Sequence, residues 1–174
     1  HPSGLACGDL NGDDREDILV SGGGNLDVWL NFTAGLQFNN ISDTAYASRV
    51  KITDVDNDGD NDIIATDWGI PGSNKRILIY TNDGNGNFQL NYSKWIDEAM
   101  AEIFISDLNN DNYPDVIYNV SYSYPNSNYE LFHTYILFNN QDCTFQDPVN
   151  YYTGICSHKS FSADFDGNGW NDII

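Results

Sequence analysis

The chain has 174 residues, with 26 Asp plus Glu against 7 Lys plus Arg, for a formal charge of −19. So acidic a balance excludes a nucleic-acid backbone as partner, because phosphates are bound by cations that release counterions. Yet 40% of the residues are apolar and 11 Tyr, 9 Phe and 4 Trp are present, so the chain has the material for a packed core rather than for a disordered acidic tail.

No run approaches the length of a membrane-spanning helix, and the longest aliphatic stretches, such as Ile77 to Tyr80, are strand-sized, so no membrane insertion is expected. The chain opens at His1 without an initiator Met, a basic segment or an apolar leader, and reads as a processed form or an excerpt of something longer. Cys7, Cys143 and Cys156 are odd in number, so at least one is free or paired to a partner. None lies in a Cys-x-x-Cys arrangement, which speaks against zinc and thiol redox chemistry.

In chain order, one nine-residue pattern organises the sequence. DLNGDDRED (9–17) leads into a strand at Ile18 to Val20, a second strand from Leu26 to Leu30, and the turn NFTAGLQF (31–38). DVDNDGDND (54–62) leads into Ile63 to Ala65, then Arg76 to Tyr80, then NDGNGNF (82–88). DLNNDNYPD (107–115) leads into Val116 to Tyr118, then Tyr135 to Phe138, then NNQDCTF (139–145), and DFDGNGWND (164–172) runs into Ile173 and Ile174. The runs are β-branched and aromatic, and each Gly/Asn turn predicts a hairpin whose outer strand begins at the aromatic residue. The period is therefore strand, oxygen-rich loop, strand, connection, strand, hairpin, strand.

Positions 1, 3, 5 and 9 of every loop are Asp or Asn, and position 2 is apolar: Leu10, Val55, Leu108 and Phe165. Oxygen-rich side chains at alternate positions suit Ca²⁺, a hard cation that takes about six to eight oxygen ligands at roughly 2.3–2.6 Å. The expected side-chain ligands are Asp9, Asn11, Asp13 and Asp17; Asp54, Asp56, Asp58 and Asp62; Asp107, Asn109, Asp111 and Asp115; and Asp164, Asp166, Asn168 and Asp172. A carbonyl at position 7 adds a ligand from Arg15, Asp60, Tyr113 and Trp170. Position 6 is Asp14, Gly59, Asn112 or Gly169, residue types that tolerate the left-handed backbone a tight curl demands. Magnesium prefers a strict octahedron with retained waters, and softer metals want His or Cys. The helical EF-hand loop closes with a Glu at position 12, whereas these loops close at position 9 and enter strands. Asp/Asn/Gly clusters also form ordinary turns without metal, but four in one register are better explained by up to four Ca²⁺. These ligands include 13 of the 26 acids, and four Ca²⁺ would bring −19 to −11.

The four loops together with the NDGNGNF turn resemble the FG-GAP/VCBS repeats of integrin α-subunit propellers and of many secreted proteins. The resemblance covers nearly the whole chain. It implies an all-β fold of β-propeller blades, each a four-stranded antiparallel sheet with a calcium-binding β-hairpin loop. About three and a half blades are present, as repeats 1–48, 49–101, 102–158 and an incomplete 159–174 of one propeller, with the first repeat expected to lack its preceding strands. It also places Cys143 where the turn usually carries Gly and Cys156 in the link to the next blade, which implies that these two pair. Asn for Asp at Asn11, Asn109 and Asn168 leaves the loop starting at Asp54 with the most carboxylates. A propeller closes with roughly four to eight blades, so either a longer chain or strands from another subunit would complete the ring.

Enzymatic signals are weak, and no catalytic residue is assigned. His1, His133 and His158 are scattered and, like Glu98 and Glu102, read as structural or exposed rather than catalytic, and no nucleophile elbow or phosphate loop occurs. Trp29 is expected in the core, and core packing is preferred over sugar stacking for Trp68 and Trp95. Residues 119–135, with Tyr122, Tyr124, Tyr129 and Tyr135, form the longest connection, as a contact surface or as a solvent-exposed insertion. Sequons at Asn31, Asn40, Asn91 and Asn119 are candidate glycosylation sites. With calcium dependence they point to a secreted or cell-surface protein.

The leading expectation is an extracellular calcium-binding propeller module for adhesion or for binding a protein or glycan, with structural metals. The alternatives are a glycosylated subunit of an extracellular fibre or matrix, self-associating through open propeller edges, and an accessory propeller of a polysaccharide-active enzyme.

Overall fold

Short β-branched and aromatic runs separated by Asp/Asn/Gly loops form fourteen strands, and no helix, among the described residues of the computed structural model. Those residues are 2–42, 47–67, 75–96, 99–123, 130–155 and 160–174. The chain divides into two compact units, His1–Asp97 and Glu98–Ile174.

The first unit holds two four-stranded antiparallel sheets, each a simple meander. One contains β1 (Pro2–Gly8), β2 (Asp17–Gly22), β3 (Asn25–Phe32) and β4 (Gly35–Ser42). The other contains β5 (Ala47–Thr53), β6 (Asp62–Asp67), β7 (Lys75–Asn82) and β8 (Phe88–Ile96). The first sheet is thus complete, which corrects the expectation that its leading strands are missing: Pro2–Gly8 pairs with β2 along its length, from Gly8 opposite Asp17 to Pro2 opposite Gly22. The second unit repeats the meander in β9 (Ala99–Ser106), β10 (Asp115–Ser123), β11 (Glu130–Leu137) and β12 (Val149–Ile155), followed by a two-stranded ladder of β13 (Ser162–Ala163) and β14 (Asp172–Ile173). The second and third sheets begin two or three residues earlier than the sequence repeats suggest, because strand pairing extends past the apolar pattern.

Burial follows the pleat. β2 alternates strictly, with Asp17, Leu19 and Ser21 buried, whereas every residue of β6 is buried. A strand covered on both faces needs apolar residues at successive positions, and Ile63, Ile64 and Ala65 provide them. The outer strand β8 is mostly exposed and carries Gln, Asn, Ser and Lys between its apolar residues. In the first unit Leu10, Leu19, Leu26, Val28 and Leu30 pack against Ala47, Val50, Ile63, Ala65, Leu78 and Tyr80 to form one core between the two sheets.

Alternation also corrects the placement of two tryptophans. Val28 and Leu30 take the inner face of β3, so Trp29 between them points outward, 38% exposed, and packs at a tilt against Phe38 at a centroid distance of 4.9 Å. Trp95 is 58% exposed, with the Arg76 guanidinium 5.0 Å above its ring. Arg76 in turn pairs with the buried Asp67. The outer strands also start differently from the aromatic rule. β8 begins at Phe88, but β4 begins at Gly35, ahead of Phe38, and β12 begins at Val149, while Phe145 makes an isolated bridge to Asn139. Trp68, Glu98, Tyr124, Tyr129, His1 and His158 lie outside the described residues.

Leu78 is 1% exposed at the centre of the first unit's core. Leu78→Ala is expected to destabilise the protein by about 3 kcal/mol, the sum of lost transfer energy and a cavity, read as a lower denaturant midpoint in equilibrium unfolding.

Candidate metal centre

Each oxygen-rich loop joins the first two strands of its sheet and is curled by its own side chains. The position-1 carboxylate caps the curl. Asp9 Oδ1 accepts the N–H groups of Asn11 (3.1 Å), Gly12 (2.8 Å) and Asp13 (3.3 Å), and its Oδ2 accepts that of Asp14 (2.7 Å). Asp54, Asp107 and Asp164 repeat this, each taking the amide of position 5 on Oδ1 and that of position 6 on Oδ2. Position 5 accepts the amide of position 7: Asp13 from Arg15 (3.1 Å), Asp58 from Asp60 (2.9 Å), Asp111 from Tyr113 (2.9 Å) and Asn168 from Trp170 (2.7 Å). These bonds turn the side-chain oxygens toward the inside of the curl.

The backbone needed for this is left-handed at two positions. Position 6 has φ of 62° at Asp14, 96° at Gly59, 68° at Asn112 and 88° at Gly169, as the residue types imply. Position 4 is left-handed as well, at Gly12 (71°), Asn57 (64°), Asn110 (55°) and Gly167 (75°). The sequence signal for position 4 was present, since it is Gly or Asn in all four loops, the residues that enter this region at least cost.

The position-9 carboxylate is held differently. Asp17, Asp62 and Asp115 are fully buried, and each takes two main-chain hydrogen bonds. One comes from position 2: Leu10 to Asp17 (2.8 Å), Val55 to Asp62 (2.8 Å) and Leu108 to Asp115 (2.9 Å). The other comes from the Asn that opens the hairpin turn: Asn31 to Asp17 (2.6 Å), Asn82 to Asp62 (2.9 Å) and Asn139 to Asp115 (2.9 Å). That Asn also sends its Nδ2 to the position-8 carbonyl, at Glu16, Asn61 and Pro114 respectively. Sequence reasoning missed the role of Asn31, Asn82 and Asn139, although an Asn opens all three turns.

Positions 1, 3 and 9 converge. Asp54, Asp56 and Asp62 each offer an oxygen within 4.8 Å of the others, and so do Asp164, Asp166 and Asp172. Asp58 is not part of its group. In the loops at 9–17 and 107–115, position 3 is Asn11 or Asn109, whose Oδ1 accepts the N–H of position 5 at 3.1 Å. Three short carboxylates on a loop whose backbone already orients them form a hard, all-oxygen donor set able to hold a divalent cation.

The electrostatics favour a cation at the second loop. Burial pushes the Asp62 carboxyl up to about 6, and the charges of Asp56 and Asp58 add to this against the two main-chain N–H donors. Burial likewise raises Asp115, against the amides of Asn139 and Leu108 and with help from Asp111 and Asp107. Burial opposes ionisation of Asp9 too, but four main-chain N–H groups outweigh it and hold its carboxyl below the usual range.

The other site residues fall out unevenly. Asn91 is exposed, with its Nδ2 on Thr81 Oγ1 at 2.8 Å, while Asn31 and Asn40 are half-buried. Asn119 is corrected as a glycosylation site: it is 1% exposed on the inner strand β10 and hydrogen-bonded to Thr134 and Ser160, which leaves no room for a glycan. Cys143 is buried with φ of 62°, the turn position that Gly86 fills with φ of 79° in the second sheet; Cys156 lies outside the described residues. Cys7 is exposed on β1.

The Asp62 shift fixes a sign. Its folded value of about 6 lies above the ordinary 3.8, so in the absence of cations its contribution to stability is complete below pH 4 or so and is lost as pH rises through about 6. The lowered carboxyl of Asp9 acts at more acid pH, outside that window. In chelator the melting temperature should therefore fall between about pH 4.5 and pH 7, and excess divalent cation should flatten the slope. A chelated protein that grows more stable over the same interval would contradict this assignment.

No curated protein matches the chain. Residues 54–118, which run from the start of the second oxygen-rich loop through the third and into β10, match the family model described as FG-GAP-like repeat. Over that segment the chain is similar to an FG-GAP-like repeat, which is consistent with the FG-GAP/VCBS repeat family.

Proposed function

We propose that this chain is an extracellular, calcium-stabilised β-propeller module with a non-catalytic role in adhesion or in binding a protein or glycan ligand, its four-stranded sheets acting as blades. One observation carries the calcium reading: Asp54, Asp56 and Asp62 meet within 4.8 Å around a buried carboxyl that burial and its acidic neighbours hold near 6. Burying such a group without a counter-charge is costly, and Ca²⁺ supplies the charge with the oxygen coordination this donor set offers. Asp9, Asn11, Asp13 and Asp17, Asp107, Asn109, Asp111 and Asp115, and Asp164, Asp166, Asn168 and Asp172 would hold further ions on the same plan. What the ion supplies is charge and rigidity. The residues do the rest: the position-1 carboxylates curl the loops, and the position-9 carboxylates tie each loop to the hairpin turn beside it.

Calorimetric titration of the chelated chain with Ca²⁺ tests this reading. Uptake near four equivalents is expected, with each site saturated at about 100 times its dissociation constant adding roughly 2.7 kcal/mol. The melting temperature should rise by several degrees per site, about 2–4 °C per kcal/mol for a chain of this size. No heat of binding and an unchanged melting temperature in EGTA would overturn it. For the extracellular assignment, secretion from a glycosylating host should yield modification at the exposed Asn91 and none at Asn119, read by mass spectrometry after enzymatic deglycosylation in heavy water.

A second reading, a self-associating subunit of an extracellular fibre or matrix, is favoured by the outward face of the first sheet. There Leu5 (68% exposed), Leu36 (57%), Trp29 and Phe38 are exposed apolar residues that the strand register places on one face. If that face drives assembly, light scattering should show concentration-dependent growth that Phe38→Lys abolishes. A monodisperse monomer at all concentrations would exclude the fibre.

A further inference from the structure

The residue at position 8 differs among the four loops: Glu16, Asn61, Pro114 and Asn171. Where it is Asn, the same bond recurs at two separate places in the fold. Asn61 Nδ2 donates to the main-chain carbonyl of Asp9 at 2.9 Å, and Asn171 Nδ2 donates to that of Asp107 at 2.9 Å. Donor and acceptor hold equivalent positions each time: position 8 of one loop and position 1 of the loop before it. Each pair of loops lies inside one compact unit. The side chains of Glu16 and Pro114 have no N–H with which to make this bond.

In the first unit a second asparagine reinforces the link. Asn82 donates its main-chain N–H to Asp62 Oδ1 and its Nδ2 to the carbonyls of Leu10 (2.9 Å) and Asn61 (2.9 Å). Its own Oδ1 accepts the N–H of Gly86 at 3.2 Å. The carboxylate that closes the second loop is thereby tied to the backbone at positions 1 and 2 of the first. In the second unit a bond runs the other way, from Asn110 Nδ2 to the carbonyl of Gly169 at 2.7 Å, joining position 4 of the third loop to position 6 of the fourth.

We propose that Asn61 and Asn171 are positioning residues that couple cation binding within two pairs, the loops at 9–17 with 54–62 and those at 107–115 with 164–172. The pair, not the single loop, is then the unit of occupancy. This rests on the calcium reading above. A cation in the first loop fixes the Asp9 backbone whose carbonyl Asn61 holds, and so orders the chain immediately before Asp62. The second loop then binds with less ordering left to do, which is positive coupling, and by reciprocity the second cation strengthens the first.

The test is site-resolved Ca²⁺ titration of the full chain by ¹H–¹⁵N NMR, following the amides of Gly12 in the first loop and Gly59 in the second. Asp13→Ala weakens the first loop while leaving the Asp9 carbonyl in place. In the wild-type background it should lower the Ca²⁺ affinity reported by Gly59 on the order of 5-fold, a usual size for coupling between sites. In the Asn61→Leu background, or in the milder Asn61→Ser background should the first fail to fold, Asp13→Ala should change the Gly59 affinity by less than about 2-fold, the remainder being what Asn82 alone transmits. The proposal is overturned if Gly59 ignores Asp13→Ala in the wild type, or if its dependence survives the loss of Asn61 undiminished. An absence of any Ca²⁺-induced shift at Gly12 and Gly59 would instead remove the calcium reading itself, and the coupling with it.

Discussion

A fully buried carboxylate accepting two main-chain hydrogen bonds is the interaction on which the rest of each of the first three repeats depends. Asp17, Asp62 and Asp115 each take the amide of position 2 of their own loop and the amide of the Asn that opens the following turn. An ionised group out of water is tolerated only when its lone pairs are satisfied and its charge is answered. The amides do the first. The second calls for positive charge, which the neighbouring acids make scarcer, and this is the physical argument behind the cation proposed beside Asp62.

The carboxylate connects three levels of structure. Locally it fixes where the loop ends and the second strand begins, since position 9 is the first residue of β2, β6, β10 and β14. Within a sheet it clasps the third strand's end through the turn Asn. Between sheets, the Nδ2 groups of Asn61 and Asn82 carry the order onward to Asp9 and Leu10. The aliphatic core of Leu10, Leu19, Val28, Ile63 and Leu78 supplies the bulk of the burial, but it is non-directional. The hydrogen bonds around the loops set the register in which those faces meet.

Particular residues mark what could be read in advance. The four loops were legible because oxygen donors at alternate positions and a position-6 Gly, Asn or Asp have a local cause: side chains bonding to amides two to five residues away. The strands after each loop were legible for the same reason, as runs such as Ile63 to Ala65 suit a sheet buried on both faces. Trp29 was misread because it lies in the unbroken apolar run from Val28 to Leu30, and only pairing with Ile18 and Phe38 shows which parity faces the core. Asn119 matched a glycosylation pattern that three residues define, while the Thr134 and Ser160 that enclose it are 15 and 41 residues away.

The sequence by itself determined the all-β character, the fourfold loop and its donor chemistry, because each depends on groups close together along the chain. The similarity of residues 54–118 to an FG-GAP-like repeat covers two of these loops. Only the tertiary structure decided which carboxylates are buried, which asparagines bridge one loop to another, and which aromatic rings face solvent. Those outcomes depend on contacts up to 72 residues apart, as between Asn82 and Leu10, and no local periodicity specifies the partner of a donor at that distance.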